Sequence, residues 1–373
     1  MWPEYSKKEI DGVIEILKTG RVNQWTGDYV REFEKKFSKY FDVNYSIAIN
    51  NGTSALELCL KVLNLDDNDE IIVTPRSFVA SVSCILINRL KPVFADVDLN
   101  SQNITLQNIK NVITDKTRAV ICVHLNGFPC EIEEIYSYCK ENNIYVIEDC
   151  AQSHGAKYNG KYLGSFGDIN AWSFCQDKIM STGGEGGMIT TNNKDLFEKA
   201  WSFKDHGKDI NLYYNRPITN QFSFVHNSIG TNFRMTEIQA YIGLIQLDYL
   251  EKWIQHRREL SEIYNNKFKN LNNITLQYQN ENTLCSYYKY YFFVKDISKR
   301  QSIIDDISSN NIKVYYGSCG ELYKEKCINQ NIICHNSKIL HETSIVLLVD
   351  PSYSKIDIMN NANIIFNILL KYN

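Results

Sequence analysis

Between Tyr45 and Phe174, six short apolar runs, YSIAIN, EIIVTP, KPVFADVD, RAVICVHL, IYVIEDC and INAWSF, are separated by stretches that include segments of helical spacing. Runs apolar at nearly every position suit strands buried on both faces. The helical segments, Ser54 to Leu63, Val79 to Asn88 and Ile132 to Glu141, leave room for right-handed crossovers without long structureless loops. The pattern predicts an α/β fold with a mostly parallel sheet flanked by helices. Open sheets of this kind bind their ligands at the carboxyl ends of the strands, so the residues just after each run are where chemistry is to be sought.

The remaining chain reads as helices and a smaller companion domain. Residues 8–19 set Ile10, Val13, Ile14 and Leu17 on one helical face, with Gly20 as the stop. Tyr29 to Tyr40 turns Val30, Phe33 and Phe37 inward. A long pattern from Thr236 to Phe268 carries Ile238, Ile242, Ile245, Leu250 and Trp253 and reads as a spine between domains. Beyond it, YYKYYFFV and SKRQSIIDDIS predict a small α+β domain. Residues 1–245 are assigned to the large domain, N-terminal helices included, and 246–373 to the small one begun by the connecting helix. The aromatic run Tyr287 to Phe293 is read as a buried strand with no catalytic role.

Composition narrows the function. The chain has 373 residues, 44% hydrophobic and 22% charged, as in globular proteins. Its 40 Lys and Arg against 43 Asp and Glu leave no positive excess to neutralise a phosphate backbone, so nucleic acid is not expected as a partner. No apolar run nears the roughly 18 residues of a membrane span, and MWPEYSKKEID lacks the basic-then-apolar order of a signal peptide; a cytoplasmic protein with no membrane partner is expected. The 11 cysteines form no C-x-x-C pair and read as reduced thiols. Cys122 and His124 share a strand face but lack a third ligand, so they read as packing, and no metal is expected.

Three stretches carry chemistry. Asn51-Gly52-Thr53-Ser54 lies where a strand becomes a helix, a seat for an anion on free amides or simply an ordinary N-cap. Asp149, ending IYVIED, places a carboxylate at the sheet edge, or caps a loop; His154 nearby reads as structural. Lys178 follows INAWSF and precedes the glycine-rich STGGEGGM, where partial desolvation favours a reactive amine, or where it is a loop lysine. Together they describe a pyridoxal phosphate site: a phosphate seat, a carboxylate for the pyridine nitrogen and a lysine for the aldehyde. Phe78, after EIIVTP, is placed to stack on the ring.

These motifs, with KTGRVNQWTGDYVREFEKKF, VHLNGFP, KDHG and GTNFRMTEIQAYIGLIQL, resemble the DegT/DnrJ/EryC1/StrS aminotransferases, sugar aminotransferases of the fold-type I aspartate aminotransferase superfamily, over about two thirds of the chain. The resemblance implies a seven-stranded-type sheet and assigns Lys178 as the Schiff-base lysine and Asp149 as the partner of the pyridine nitrogen. It makes Phe78 the stacking aromatic and Gln152 the residue beside the ring. Gly52, Thr53 and Ser173, with Ser54 beside them, are its phosphate contacts, and Asn232 is the asparagine that reaches the phosphate of a neighbouring subunit. A homodimer with active sites at the subunit interface follows, using pyridoxal 5'-phosphate, with pyridoxamine 5'-phosphate as intermediate.

The resemblance further implies transfer of an amino group, usually from glutamate, to a keto sugar, most often nucleotide-linked, for surface polysaccharide. A dehydratase branch of the family carries histidine where this chain has Lys178; a non-enzymatic sensor is the other alternative. Two departures concern the acceptor. Asn126 stands where the family has tyrosine, and Ile312 to Gly320, IKVYYGSCG, replaces the usual segment with H-Y-P near the sugar nucleotide. A small phosphorylated ketone such as dihydroxyacetone phosphate is therefore a competing acceptor. Arg234 is read either as an anion ligand or as an internal ion pair.

Overall fold

The computed structural model describes residues 2–215, 224–277 and 280–372. Helix α1 (Lys7–Thr19) opens with a capping box between Ser6 and Glu9 and ends at Gly20, whose φ of 68° suits glycine. Its apolar face is turned largely outward: Ile10, Ile14 and Leu17 are 52, 44 and 56% exposed, while Glu9 and Ile16 are buried. Helix α2 (Tyr29–Phe41) does the reverse and buries Val30, Phe33, Phe37 and Phe41, with Phe33 and Phe37 against Phe174.

The predicted sheet is present. Strands β1 (Tyr45–Ile49), β2 (Glu70–Val73), β3 (Lys91–Phe94), β4 (Thr117–Val123), β5 (Tyr145–Asp149), β6 (Ile169–Ser173) and β7 (Gly187–Thr191) form seven strands in the order β1-β7-β6-β5-β4-β2-β3. All neighbours run parallel except β7, which is antiparallel to both β1 and β6. Helices α3 (Gly52–Lys61), α4 (Ala80–Ile87) and α5 (Ile132–Glu141) make crossovers. Their cores match the sequence spans, and α3 begins two residues earlier because the Asn51 side chain accepts the Ser54 amide and caps it. Apolar clusters fill both faces of the sheet.

Helix α6 (Glu237–Phe268), capped by Thr236, runs from the large sheet to a separate apolar cluster. That cluster packs Leu260, Tyr264 and Phe268 on a four-stranded antiparallel sheet made of β8 (Ile274–Leu276), β9 (Tyr290–Val294), β10 (Val314–Tyr315) and β11 (Ser344–Leu347), in the order β8-β9-β11-β10. The aromatic run does contain a buried strand, but the strand starts at Tyr290; Tyr287 to Lys289 form the loop before it. All 11 cysteines are free, and all but Cys175, Cys319 and Cys327 are buried. Among the described residues no helix is long and apolar enough to cross a membrane.

Candidate active site

Three parallel strand ends and the turn after β6 converge on a cavity of about 730 Å³ lined on its far side by Tyr288, Lys289, Tyr291 and Ser318. Gly52, Thr53, Ser54, Phe78, Asp149, Gln152, Ser173 and Lys178 all line it. Asn232 does not: it is exposed on a segment tied to the loop after residue 204, outside its own chain's cavity. Arg234 pairs with the buried Asp205, which also holds Lys208 at 3.1 Å, so it is engaged within the fold.

Gly52 shows why its residue type is required. A Cβ there would lie 2.6 Å from Cβ of Ser173, so only glycine lets the first turn of α3 press against the end of β6. The arrangement leaves helix N-terminal amides beside the Ser173 hydroxyl and the exposed Thr53, a seat suited to a phosphate.

Asp149 is 5% exposed. Its Oδ2 accepts from Ser81 Oγ at 2.9 Å and its Oδ1 from the Ala151 amide at 3.1 Å. Ser81 in turn lies 2.8 Å from Ser77 Oγ, four residues earlier and before the helix begins. Burial pushes the Asp149 carboxyl above its ordinary value despite these donors and nearby Lys178. The side chain is a buried carboxylate short of positive partners, which a cationic ring would supply. Phe78, 67% exposed, offers a ring face to the same space.

Lys178 sits in a closed turn. The Phe174 amide donates to Gly186 O at 2.8 Å and Gln176 to Gly184 O at 3.0 Å, while Gly183 and Gly184 take φ of 88° and 118° to reverse the chain into β7. Trp2 reaches across 176 positions to donate its indole N–H to Lys178 O at 2.8 Å. The Lys178 side chain is 16% exposed, with Nζ 3.8 Å from Asp177 and 5.0 Å from the centroid of Tyr288.

The far wall holds residues the sequence did not single out. Tyr288 lines the cavity and donates its phenol to Asp177, which also lies 3.6 Å from Lys289. Burial works to raise Asp177, but Lys178, the Tyr288 hydroxyl and Lys289 outweigh it and hold the carboxyl below its ordinary value. The run Tyr287 to Phe293, read from the sequence as a buried strand without a catalytic role, also contributes Tyr288, Lys289 and Tyr291 to the cavity wall. Buried Arg76 ties this wall to the sheet, giving Nε and Nη2 to Gln102 Oε1 at 3.0 and 2.7 Å and Nη1 to Ser318 O at 3.3 Å. Only the adjacency of Asp177 to Lys178 was a usable signal; Tyr288 and Arg76 are brought in by packing.

His124 and Glu148 form a pair beneath the site rather than a place for a metal. His124 Nδ1 accepts the Cys130 amide at 3.1 Å, so its other nitrogen carries the proton and donates to Glu148 at 2.9 Å. Glu148 also accepts from the amides of Gly164, Phe166 and Gly167, each at 2.8 Å. Cys150 lies near both, but the lone pairs are already used. His154 is buried against Trp172 and Phe174, and burial depresses it to about 3, so it is neutral.

Residues 3–365 match the DegT/DnrJ/EryC1/StrS aminotransferase family. The chain belongs to that family. It is 39% identical over 272 residues to the GDP-perosamine synthase of Escherichia coli O157:H7, covering 73% of this chain and 71% of that protein. It is 36% identical over 268 residues to a dTDP-3-amino-3,6-dideoxy-alpha-D-galactopyranose transaminase of Aneurinibacillus thermoaerophilus, covering 71% and 69%. Among solved structures, an aminotransferase from Psychrobacter cryohalolentis superposes with a TM-score of 0.96 at 39% identity, covering 100% of this chain and 99% of that one.

The aminotransferase is thus an enzyme whose cofactor is pyridoxal 5'-phosphate. The residues present fit that group. The cradle that a Cβ at Gly52 would fill, the buried carboxylate of Asp149 and the primary amine of Lys178 line one cavity.

Proposed function

We propose that this aminotransferase moves the amino group of L-glutamate to a keto group of a nucleotide-linked sugar, in cell-surface polysaccharide synthesis in the cytoplasm. Its support is the company of named relatives that act on GDP- and dTDP-linked sugars, together with a cavity of about 730 Å³, ample for a sugar ring beside a cofactor. Those relatives lend no support to a small phosphorylated ketone.

Bound pyridoxal phosphate supplies the electron sink for the carbanion left when a substrate α-proton departs. In the proposed division of labour Lys178 would hold the cofactor, and its Nζ would take and return that proton. Asp149, held by Ser81 and the Ala151 amide, keeps the ring nitrogen protonated. Phe78 covers one ring face, and Gln152, whose Oε1 accepts the Asn126 amide at 2.7 Å, is fixed beside it. Gly52, Thr53, Ser54 and Ser173 hold the phosphate. Asn232 completes the seat from a second copy in a homodimer, in keeping with its exposure outside its own cavity. The division into domains near residue 245 belongs to the same reading, supported by the separate apolar cluster beyond Leu260.

The test is to load the protein with pyridoxamine phosphate and offer nucleotide-linked keto sugars, free keto sugars and triose phosphates. Return of the cofactor's visible absorption with nucleotide-linked keto sugars alone is expected; return with triose phosphate alone would sink the proposal.

A further inference from the structure

Asn126, which stands where the family has tyrosine, is wholly buried. It takes φ of 60° in the turn after β4, a left-handed conformation that asparagine adopts more readily than most side chains. From that turn it reaches two walls of the catalytic cavity. Toward the cofactor side, its main-chain amide donates to Gln152 Oε1 at 2.7 Å. Toward the loop before β9, its Oδ1 accepts the Lys289 amide at 2.7 Å and its main-chain oxygen accepts the Tyr288 amide at 3.1 Å. Its Nδ2 donates to Gln277 Oε1 at 3.4 Å, and Gln277 donates in turn to Ser101 O at 3.3 Å.

The next position closes the same gap. Ser286 donates its amide to Gly127 O at 3.3 Å, and a Cβ on Gly127 would lie 2.2 Å from Ser286 Oγ and 2.9 Å from Gln152 O. Residues 126 and 127 therefore fill the space between the Gln152 segment and the loop. Asp177 and Arg257 grip that loop from other sides, through the Tyr288 phenol and the Tyr288 carbonyl. Asn126 differs from them in holding Gln152 with its main chain and Lys289 with its side chain. Gln152, Tyr288 and Lys289 all line the catalytic cavity.

We propose that Asn126 is a positioning residue for the acceptor: it sets the separation of the two walls between which the keto sugar lies. The proposal rests on the nucleotide-sugar reading above and names the residue that fixes the width of that site. The loop is outside the sheet ladder, so its place depends on bonds of this kind. Removing Oδ1 leaves the Lys289 amide without its partner in a part-buried place, a loss of about 10-fold in the equilibrium that holds the loop in. The acceptor feels this more than the donor does, because a nucleotide-linked sugar is much larger than an amino acid and touches more of the loop wall. Such contacts hold the substrate before and during reaction alike, so their loss raises KM and leaves kcat nearly as it was.

The experiment compares two variants that tolerate the left-handed backbone. Asn126→Gly keeps the main-chain bond to Gln152 and removes both side-chain bonds, whereas Asn126→Asp keeps an acceptor for the Lys289 amide. Amide hydrogen exchange of the full-length protein, with and without cofactor, is followed on the peptide covering residues 285–291. Exchange there should quicken about 10-fold in Asn126→Gly and return most of the way in Asn126→Asp. In steady-state kinetics, Asn126→Gly should raise KM for a nucleotide-linked keto sugar about 10-fold while kcat and the donor KM change less than about 2-fold, and Asn126→Asp should restore most of it. Unchanged exchange overturns the proposal. So does faster exchange with an unmoved acceptor KM, or with donor and acceptor KM rising alike. If wild type turns over no nucleotide-linked keto sugar, the proposed function fails and the positioning role with it; if it does and the acceptor KM is unmoved, the positioning role alone fails.

Discussion

On one side of the catalytic cavity, Asp149 and Ser173 end buried strands whose neighbours hold them from both flanks, and Gly52 starts a helix pressed against them. On the other, Tyr288, Lys289 and Ser318 stand in loops, held by Asp177, by Asn126 through the Lys289 amide at 2.7 Å, and by Arg76. The first wall inherits its geometry from the sheet ladder, so a residue at a strand end has little freedom. The second depends on side chains gathered from distant parts of the chain, so a single substitution there can retune it. A cofactor common to a family suits the first construction, and a variable substrate suits the second.

That contrast can be broken from the sheet side first. Lys178→Ala is expected to lower turnover more than about 1,000-fold, since under the proposed mechanism it removes both tether and base, with the unfolding transition nearly unmoved; borohydride should then label no peptide containing position 178. Substantial residual turnover would end the assignment. Asp149→Asn should cost about 100-fold or more in both half-reactions.

The same Asp149 replacement has a second signature, in the protein stripped of cofactor. The folded-state pKa of Asp149 is raised by burial, so its cost to stability is absent below the unfolded value of about 3.9 and appears as pH rises through the folded value. The apoprotein variant should therefore unfold at higher temperature than wild type at neutral pH, the gap closing toward pH 3.9. A gap that widens on acidification would contradict this.

Glu148 runs the other way. Burial opposes its charge, but His124 and the main-chain amides prevail and hold it low, so its stabilisation is complete above about 4.3 and is lost as pH falls through the folded value. Glu148→Gln should cost about 3 kcal/mol in urea unfolding at pH 7. Gly52→Ala comes next, at about 1–3 kcal/mol from overpacking against Ser173, with weaker retention of cofactor on dialysis. The loop wall should give the smallest and most selective effect: Arg76→Gln, which frees Ser318, is expected to slow the acceptor half-reaction about 10-fold while the donor half-reaction changes less. Equal slowing of both would blur the distinction between the two walls.

The alternation of apolar runs was legible because strands buried on both faces leave no position for polar residues, and the seven-stranded sheet contains those runs as strands. Helix ends were legible to within two residues where a cap such as Asn51 or Thr236 marks them. Phe78, Asp149 and Lys178 could be picked out because each ends a strand or lies within five residues of a strand's end, so local order translates into position at the sheet edge; Ser173 was named only by the family resemblance. The outward face of α1 was not legible: helical spacing says which residues share a face, not what lies opposite.

Local chemistry along the chain therefore determined the elements, the cradle at Gly52 and the lysine and carboxylate at the edge of the sheet, because each depends on a few consecutive residues. Tertiary structure alone decided that Tyr288 would cover Lys178, that Trp2 would cross 176 positions to hold its carbonyl, and that Arg76 would bind Ser318. Those contacts join segments whose separation carries no periodic signal, and they form only when burial of the two sheets brings the segments together.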